Sequence, residues 1–256
     1  MKILQIHLRA PTAHFAIPFA MSIKRTFPIP MYSTAIGIVC NALKYKEKIE
    51  KFLTSQFSMA IIGDYGSMQY EYTWLRSFSL KHHKRRFPGK EDRRFMGEVE
   101  HPGGQMPNVV SYLLDADFRI YVKAPLDILK MIMESFLSGD WITHLHAGRA
   151  EDIIDFFEVD LLDIQVEKIY ETNGYTWIPS PEFADLDFKD YESLFNTIGG
   201  SIFLVSTIYK VSNGKRHFER IRAKLYNGGI PLINFKPVVL PAHNERPLFF
   251  ARMVKE

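Results

Sequence analysis

The feature that most constrains this chain is a strongly basic run at residues 81–94, with the sequence KHHKRRFPGKEDRR. Its seven lysines and arginines face only Glu91 and Asp92, so its net charge is +5 with both histidines neutral. Strand-like runs flank it at 69–80 and 109–123, and the turn-forming residues of Pro88-Gly89 and 101–104 lie between them. This pattern predicts a basic arm, or long hairpin, that projects from a sheet.

The charge of the basic arm has two interpretations. Like charges repel one another unless an anion is nearby, and phosphate is the anion that arginine clusters bind best. The alternative is a solvated loop without a ligand. Under the first interpretation, the candidate RNA contacts in the arm are Lys81, His82, His83, Lys84, Arg85, Arg86, Lys90, Arg93 and Arg94.

Composition indicates an ordinary globular protein, with 46% apolar and 24% charged residues in 256. The single cysteine, Cys40, suits a reducing compartment, and no apolar run approaches the roughly twenty residues that a membrane span needs. The N-terminus also lacks the apolar stretch of a signal peptide. We therefore expect a cytoplasmic protein.

The net charge of +3 is unevenly distributed along the chain. Residues 1–149 carry 20 basic and 13 acidic groups (+7), residues 150–200 carry 2 and 13 (−11), and residues 201–256 carry 10 and 3 (+7). Two basic regions around an acidic one suggest a polyanion on one surface and a different neighbour on another.

Hydrophobic periodicity predicts a series of strands and helices in the first 150 residues. The predicted ranges are 3–9 (strand), 34–43 (helix), 59–64, 69–80 and 109–123 (strands), 126–137 (helix) and 143–147 (strand). The range 109–123 is either a strand pair or one bent strand, with a break at 115–117. The order strand, helix, strand, strand, helix, strand is the ferredoxin-like pattern that RNA-recognition modules share.

Several residues mark the ends of these elements. Pro11 is expected to end the first strand, and a long irregular loop, 12–31, follows; a loop of that length usually serves function. Ser33 is a plausible N-cap for the first helix, with the charged residues 44–51 as a candidate continuation to Phe52. Pro125 and Gly139 are expected to bound the second helix.

The C-terminal part has a different pattern. Three strand-like runs, 203–211, 218–226 and 233–240, are joined by turns at Asn213-Gly214 and Gly228-Gly229. The predicted fold is therefore α+β: a ferredoxin-like (RRM-like) domain at 1–150 with a protruding basic β-hairpin thumb at about 80–108. An acidic connection at 151–200 and a β-rich C-terminal subdomain at 201–256 follow.

Two segments resemble a known family. The run LRAPTAHFAIPFAMSIKRTFPIPMYSTAIGIVCNAL, residues 8–43, resembles the opening of the CRISPR-associated Cas five family, with Ala10-Pro11 in place of the more usual Gly-Pro. The segment HAGRAED, residues 146–152, is similar to that family's Gly-[Arg/Lys]-x-Glu-[Asp/Ala] motif. Together the two cover about a fifth of the chain, in the family's order and spacing.

The resemblance implies a function in antiviral defence. It implies a non-catalytic subunit of a Cascade-type surveillance complex, closest to type I-B, that caps the repeat-derived 5′ handle of the CRISPR RNA. The implied partners are that RNA handle, the backbone filament subunit and the large subunit, with no membrane. Sequence specificity for the target then belongs to pairing by the guide.

Outside the arm, five residues are candidate RNA contacts. Lys24 and Arg25 would hold phosphates, and His14 and Phe15 lie in a loop where an aromatic ring can stack on an unpaired base. Arg149, after Gly148, could contact a backbone phosphate. The open alternatives are a Phe15 ring folded onto the core and an Arg149 that only caps the preceding region.

Two other function classes stay open. Metal-independent RNA cleavage, as in the type I-C branch of the same family, would need a base, an acid and a cation, and Lys81, His82, His83 and Tyr32 could supply them. A protein-interaction scaffold would explain the acidic 150–200 region but leaves the arm unused. We expect no cofactor and no metal, because His144 and His146 lack an obvious third ligand and no phosphate-loop or dinucleotide motif is present.

Overall fold

In this computed structural model, the described residues are 2–18, 20, 23–76, 94–95, 98–99, 105–166, 174–185, 191–228, 238–239 and 247–253. The fold is α+β, with a ten-stranded, mainly antiparallel sheet and four α-helices among these residues. Residues 81–93 of the basic arm lie outside the described part of the chain, and Arg94 is described by its backbone alone.

The elements are numbered here in chain order. The helices are α1 (Tyr32–Leu43), α2 (Lys46–Thr54), α3 (Leu126–Ser138) and α4 (Tyr191–Thr197). The strands of the N-terminal part are β1 (Lys2–Ala13), β2 (Phe15–Ala16), β3 (Ile23–Lys24), β4 (Thr26–Phe27), β5 (Ser58–Asp64), β6 (Ser67–Arg76), β7 (Arg94–Phe95), β8 (Glu98–Val99) and β9 (Gln105–Lys123). Those that follow are β10 (Phe156–Asp163), β11 (Gln165–Val166), β12 (Tyr175–Pro179), β13 (Ser201–Ser212), β14 (Lys215–Asn227), β15 (Val238–Val239) and β16 (Ala251–Arg252).

The N-terminal half of the sheet has the strand order β10-β1-β9-β5, and each neighbouring pair is antiparallel. Helix α1 lies between β1 and β5 in the chain, and α3 lies between β9 and β10. Alternate residues of β1, among them Leu4, Ile6 and Leu8, are buried in the main core with both helices. The opposite face near Ile3 is covered by residues 247–253, which contribute Leu248 and Phe250 to a separate apolar cluster.

Strand β9 is one bent strand, which is one of the two alternatives that the sequence left open. Its C-terminal part pairs with β1 and β5, and its N-terminal part pairs with β6 from Met68↔Leu113 up to Arg76↔Gln105. The bend lies at Asp115, whose φ is 52°. Pro11 lies inside β1, close to the bend, so the expectation that it ends the strand is wrong. At that point the pairing of β1 with β10 has already stopped, at Arg9, and the missing N–H costs no ladder bond there.

Two helix boundaries differ from the predictions. Helix α1 begins at Tyr32 after an N-cap at Met31 that has no side-chain cap, so Ser33 lies in the first turn and is not the cap. The helix stops at Lys44, whose positive φ of 60° breaks the backbone ladder, and α2 is a second helix instead of a continuation. Helix α3 follows Pro125 and ends at Gly139 with a left-handed φ of 67°, as predicted.

The segment 12–31 is far more structured than a free loop. It contains the end of β1 and the short strands β2, β3 and β4, and it buries the side chains of Phe15, Phe27 and Ile29. Strand β3 adds to β9 in parallel at Val109 and Val110. By contrast, the predicted strand at 143–147 is reduced to an isolated bridge between His146 and Ile153.

The C-terminal strands extend the same sheet. Strand β12 pairs with β5, and the order continues β12-β14-β13. The indole of Trp177 in β12 is fully buried, packs edge-on against Phe27 and Phe203, and donates a hydrogen bond to the Pro30 carbonyl (2.8 Å). The predicted strand 233–240 falls mostly outside the described residues, where only β15 is seen, paired with β11. Within the described ranges, no helix combines the length and the apolar character needed to cross a bilayer.

Candidate nucleic-acid interface

The two segments that carry the family resemblance meet in space at the C-terminal end of β1. The backbone N–H of His14 donates to the Ala147 carbonyl (3.0 Å), and the Thr12 hydroxyl donates to Asp152 Oδ1 (2.7 Å). These contacts join positions more than 130 residues apart in the chain, since 147 minus 14 is 133. The loop 146–152 is thereby fixed beside β1 and the base of the β6–β9 ribbon.

Asp152 and Arg149 form the centre of this joint. Asp152 is fully buried (0% exposed) and receives two hydrogen bonds from the guanidinium of Arg149, from Nε and Nη2, each 2.9 Å long. Arg149 also reaches Glu71 (3.3 Å) and Glu151 (3.3 Å). The hydrogen bonds with Asp152 raise the pKa of Arg149 above its usual range, against the opposing effect of partial burial. The three carboxylates therefore hold Arg149 as a permanent cation with its charge already matched.

Gly148 is required by the closeness of the two segments. Its φ is +105°, and a Cβ at this position would lie 1.9 Å from the carbonyl oxygen of His14. Both a side chain and a normal backbone conformation are therefore excluded at this point. We refer to Thr12, His14, Gly148, Arg149 and Asp152 as the Arg149 joint.

His14 and Phe15 occupy buried positions. The Nδ1–H of His14 donates to the Ser111 carbonyl of β9 (2.7 Å), and its residue is 8% exposed. Phe15 is 1% exposed, and its ring packs edge-on against Phe118, with ring centroids 5.5 Å apart. Phe15 is thus folded onto the core, which was the open alternative, and its ring has no exposed face for a base in this conformation.

Lys24 and Arg25 are exposed beside the β6–β9 ribbon. Lys24 is in β3, opposite Val110 of β9, and the Arg25 carbonyl accepts a hydrogen bond from the Ile17 N–H (2.8 Å). The ribbon leads from this position toward Arg76 and Gln105, which are its last paired residues. Residues 77–104, with the basic arm, connect the two strands beyond that pair. The two cations lie on the edge of β9 opposite to β6.

The ribbon also carries an exposed aromatic stripe. Tyr70 and Tyr72 are 64% and 61% exposed and occupy alternate positions of β6, on the same face as Met68. Rings exposed to this degree beside cations are typical of surfaces on which bases stack. The sequence predicted the alternation at 69–80 but assigned the two tyrosines no role.

A second polar group lies on the sheet face opposite the helices. His7 Nε2 lies 2.9 Å from Asp117 Oδ1, Arg119 lies 3.4 Å from the same oxygen, and the Arg9 guanidinium stacks 4.0 Å above the Phe156 ring. Partial burial opposes ionisation of Asp117, but His7, Arg119 and Arg9 together lower its pKa below the usual value. Because Arg9 and the Phe156 ring point to the open face, this group is a further candidate contact surface.

The catalytic alternative loses one of its residues. Tyr32 is fully buried at the start of α1, and burial raises the pKa of its phenol well above the usual value. A buried phenol cannot reach an RNA backbone, so Tyr32 is corrected from a candidate catalytic group to a core residue. Lys81, His82 and His83 lie outside the described residues. Across the described part of the chain, no group of three or more His, Cys, Asp and Glu side chains is arranged to hold a metal.

Comparison with known proteins gives matches to structures and to one family. A chain of a CRISPR RNA-guided surveillance complex superposes with a TM-score of 0.51 at 14% identity, over 89% of this chain and 91% of that chain. A CRISPR protein from Archaeoglobus fulgidus gives a TM-score of 0.48 at 12% identity, over 98% of this chain and 100% of that chain. No curated protein matches the chain by sequence. The first likeness concerns the fold alone.

The family match covers most of the chain. The model of the family described as CRISPR-associated protein (Cas_Cas5) matches residues 3–193, which include both segments of the Arg149 joint and the β6–β9 ribbon. The resemblance inferred from residues 8–43 and 146–152 is therefore confirmed. This chain belongs to the CRISPR-associated protein (Cas_Cas5) family.

Proposed function

We propose that this chain is a non-catalytic CRISPR RNA-binding subunit of a type I Cascade surveillance complex, in which it caps the repeat-derived 5′ handle of the RNA. Membership of the Cas_Cas5 family supports a role in a CRISPR complex. The strand order β10-β1-β9-β5, with one helix between β1 and β5 and another between β9 and β10, supports a ferredoxin-like domain at 1–150 of the kind that RNA-recognition modules share.

The observation that carries the proposal is the ribbon formed by β6 and β9. It extends in register from Ser67↔Leu114 to Arg76↔Gln105, past the part of the sheet that α1 and α3 cover. Because residues 77–104 connect the two strands at its far end, the +5 arm is attached to a protruding support. This arrangement supports a thumb at about 80–108 that meets RNA.

The proposed RNA contacts fall into two groups. Lys24, Arg25 and the arm would hold phosphates, and this contribution should weaken steeply with salt. Tyr70 and Tyr72 would supply stacking surfaces beside them. His14, Phe15 and Arg149 instead position the loop and the ribbon, because each is already engaged by buried or charged neighbours.

The acidic edge of the sheet suits the protein partners. Strand β10 is the terminal strand of the sheet order, and it exposes Glu158, Asp160 and Asp163. We place a contact with the backbone filament subunit or the large subunit here, because RNA would be repelled by these carboxylates. Neutralising these three side chains together with Asp155 should weaken assembly of the complex, and unchanged assembly would contradict this placement.

The test uses the purified chain with its own labelled repeat RNA in EDTA, on native and denaturing gels. The quadruple variant Arg85→Ala/Arg86→Ala/Arg93→Ala/Arg94→Ala should lose more than tenfold in affinity at physiological salt, because four phosphate contacts are removed. The matched control removes four lysines from α2 and α3, at positions 46, 48, 51 and 130, and should bind as the parent does.

Each other outcome has a defined meaning. Undiminished affinity of the arm variant would exclude the arm as the RNA-binding element. A specific cut in the RNA, lost on His82→Ala or His83→Ala, would replace capping with endoribonuclease activity, which EDTA would leave intact because no metal takes part.

A further inference from the structure

The hairpin of β13 and β14 projects beyond the sheet that supports it. Strand β12 pairs with β14 only from Ala223 to Asn227, whereas β13 and β14 continue to pair with each other as far as Ser212↔Lys215. Every residue from Tyr209 to Arg220 is exposed. The tip is a two-residue Asn213-Gly214 turn with φ values of 52° and 69°, the left-handed geometry that makes a tight, well-defined hairpin.

The exposed part of the hairpin is basic, and some of its charge is unmatched. Residues 209–220 hold four cations against Glu219, a net charge of +3. Lys210 is paired with Glu219 (3.0 Å). Lys215 and Arg216 have no carboxylate within 4.0 Å among the residues that the structure describes. Like charges kept together in this way are typical of a surface that meets an anion.

Aromatic rings share a face with one of these cations. Tyr209 and Phe218 are opposite each other across the strands, with ring centroids 5.4 Å apart, and are 42% and 40% exposed. The Arg216 guanidinium lies over the Tyr209 ring, 4.8 Å from its centroid, and Val211 is its cross-strand neighbour. A guanidinium plane held on a ring offers its outer side to a base, and the ring of Phe218 offers a second stacking surface.

We propose that residues 209–220 of the β13–β14 hairpin form a second binding surface for single-stranded nucleic acid. Lys215 and Arg216 contact phosphates, and bases stack on Arg216 and Phe218. The hairpin lies C-terminal to residues 3–193, which match the family, and the proposal does not depend on the arm or on capping of the 5′ handle. A protein partner is less well matched, because cations interrupt the apolar patch at every second position of β14 on this face, at Arg216 and Arg220.

The experiment isolates the hairpin in the full-length chain that carries the four Arg→Ala changes in the arm. Fluorescence anisotropy measures binding of labelled 12-mers of oligo(U) and oligo(dT) between 50 and 300 mM salt, about the range over which phosphate contacts dominate. Adding Lys215→Ala/Arg216→Ala should weaken binding about tenfold and reduce the salt slope by about 1.4, which is 0.7 for each lost phosphate contact on a single strand. Whether oligo(U) or oligo(dT) binds more tightly indicates which strand, RNA or DNA, the surface takes.

Controls separate stacking and charge from general effects. Tyr209→Ala, which removes the support of Arg216, should cost about fivefold, whereas Tyr209→Phe keeps the ring and should bind normally. Lys46→Ala/Lys130→Ala removes two positive charges from the helical surface and should leave binding unchanged.

Three results would overturn the proposal: no binding of either 12-mer at 50 mM salt, equal losses for the hairpin variant and the lysine control, or displacement by polyglutamate as efficient as by unlabelled oligo(U). The last would assign the surface to an acidic protein. The arm proposal is judged separately, since its test compares the parent chain with the arm variant on repeat RNA.

Discussion

Arg149 and Arg216 place the same guanidinium group in opposite surroundings. Arg149 belongs to a family-like motif, its side chain is 22% exposed, and it is held by Asp152, Glu71 and Glu151. Arg216 belongs to no recognised motif, lies on an exposed hairpin, and contacts only the face of the Tyr209 ring among the described residues. The cation that the motif singled out therefore serves the fold, and the cation that it passed over is available to a ligand.

The difference teaches how charge should be interpreted in this chain. A guanidinium that already has a bidentate carboxylate partner gains little from a phosphate, because binding the phosphate first requires breaking the existing pair. A guanidinium against an aromatic face keeps its N–H donors directed outward. Exposure and the sign of the neighbours thus decide function here more than membership of a motif does.

The largest expected effect comes from breaking the Arg149 joint at Asp152. Asp152→Ala leaves Arg149 without its bidentate partner and Thr12 without its acceptor, and it should reduce the free energy of unfolding by about 3–5 kcal/mol. Urea unfolding followed by circular dichroism measures this loss. Asp155→Ala removes an exposed carboxylate nearby and should change the stability by less than about 0.5 kcal/mol. Equal effects of the two changes would mean that the joint does not stabilise the fold.

The next effect is steric. Gly148→Ala forces a Cβ against the His14 carbonyl at a φ of +105°, and it should cost about 2–3 kcal/mol. Gly37→Ala is the matched control, because its Cβ would meet nothing within 4 Å in the middle of α1. That change should instead stabilise the protein by about 0.5–1 kcal/mol. Thermal unfolding of the two variants should therefore shift in opposite directions, and a shift in the same direction would contradict the close approach of the two segments.

A smaller, pH-dependent effect is expected at Asp117 on the open sheet face. Since the pKa of Asp117 is lowered in the folded chain, its ionised form stabilises the fold above the ordinary value of 3.8, and this contribution is lost as the pH falls through the lower, folded pKa. Asp117→Asn should therefore cost at most about 1 kcal/mol at neutral pH, because the cluster is partly exposed, and should flatten the stability profile below about pH 4. Asp160→Asn, on the exposed edge of β10, should leave the profile unchanged. An unaltered profile for Asp117→Asn would show that the His7 contact contributes nothing to stability.

The smallest effect on stability should come from Arg216 itself. Arg216→Ala removes an exposed cation–π contact and should cost no more than about 0.5–1 kcal/mol. A loss as large as that of Asp152→Ala would mean that Arg216 is also a structural residue, and the contrast with Arg149 would disappear. Chemical unfolding of both variants under identical conditions makes this comparison directly.

Much of the fold follows from the sequence, because local signals and tertiary packing agree there. The alternating residues of β1, the apolar spacing of α3 with its Gly139 stop, and the Asn213-Gly214 hairpin all appear where the pattern predicts them. The errors lie where long-range contacts override local preference. Pro11 is accommodated inside a strand at a point without a ladder bond, and Lys44 takes a positive φ that allows its ammonium group to reach Asp140.

The candidate site was harder to predict, for a physical reason. Burial decides whether His14, Phe15 and Arg149 can touch a ligand, and burial depends on residues far away in the chain, such as Ser111, Phe118 and Asp152. The Arg-x-x-Asp spacing at 149–152 is a signal that could have suggested the ion pair. The exposed tyrosines of β6 and the Tyr209–Phe218 pair gave only a strand-like alternation, since their exposure depends on which neighbours the sheet supplies.

The segment 247–253 has a consequence for the order in which the chain can fold. It places Ala251 and Met253 in the main core, Phe249 in the cluster beside α4, and Leu248 and Phe250 behind the sheet, and β16 pairs with β5 from Met59↔Ala251. A ribosome adding about 5–20 residues per second needs roughly 10–40 s to travel the 192 residues between those two partners. Until then the nascent chain leaves Ile3, Ala60 and Tyr121 uncovered, so the period of its synthesis is when it most needs a chaperone.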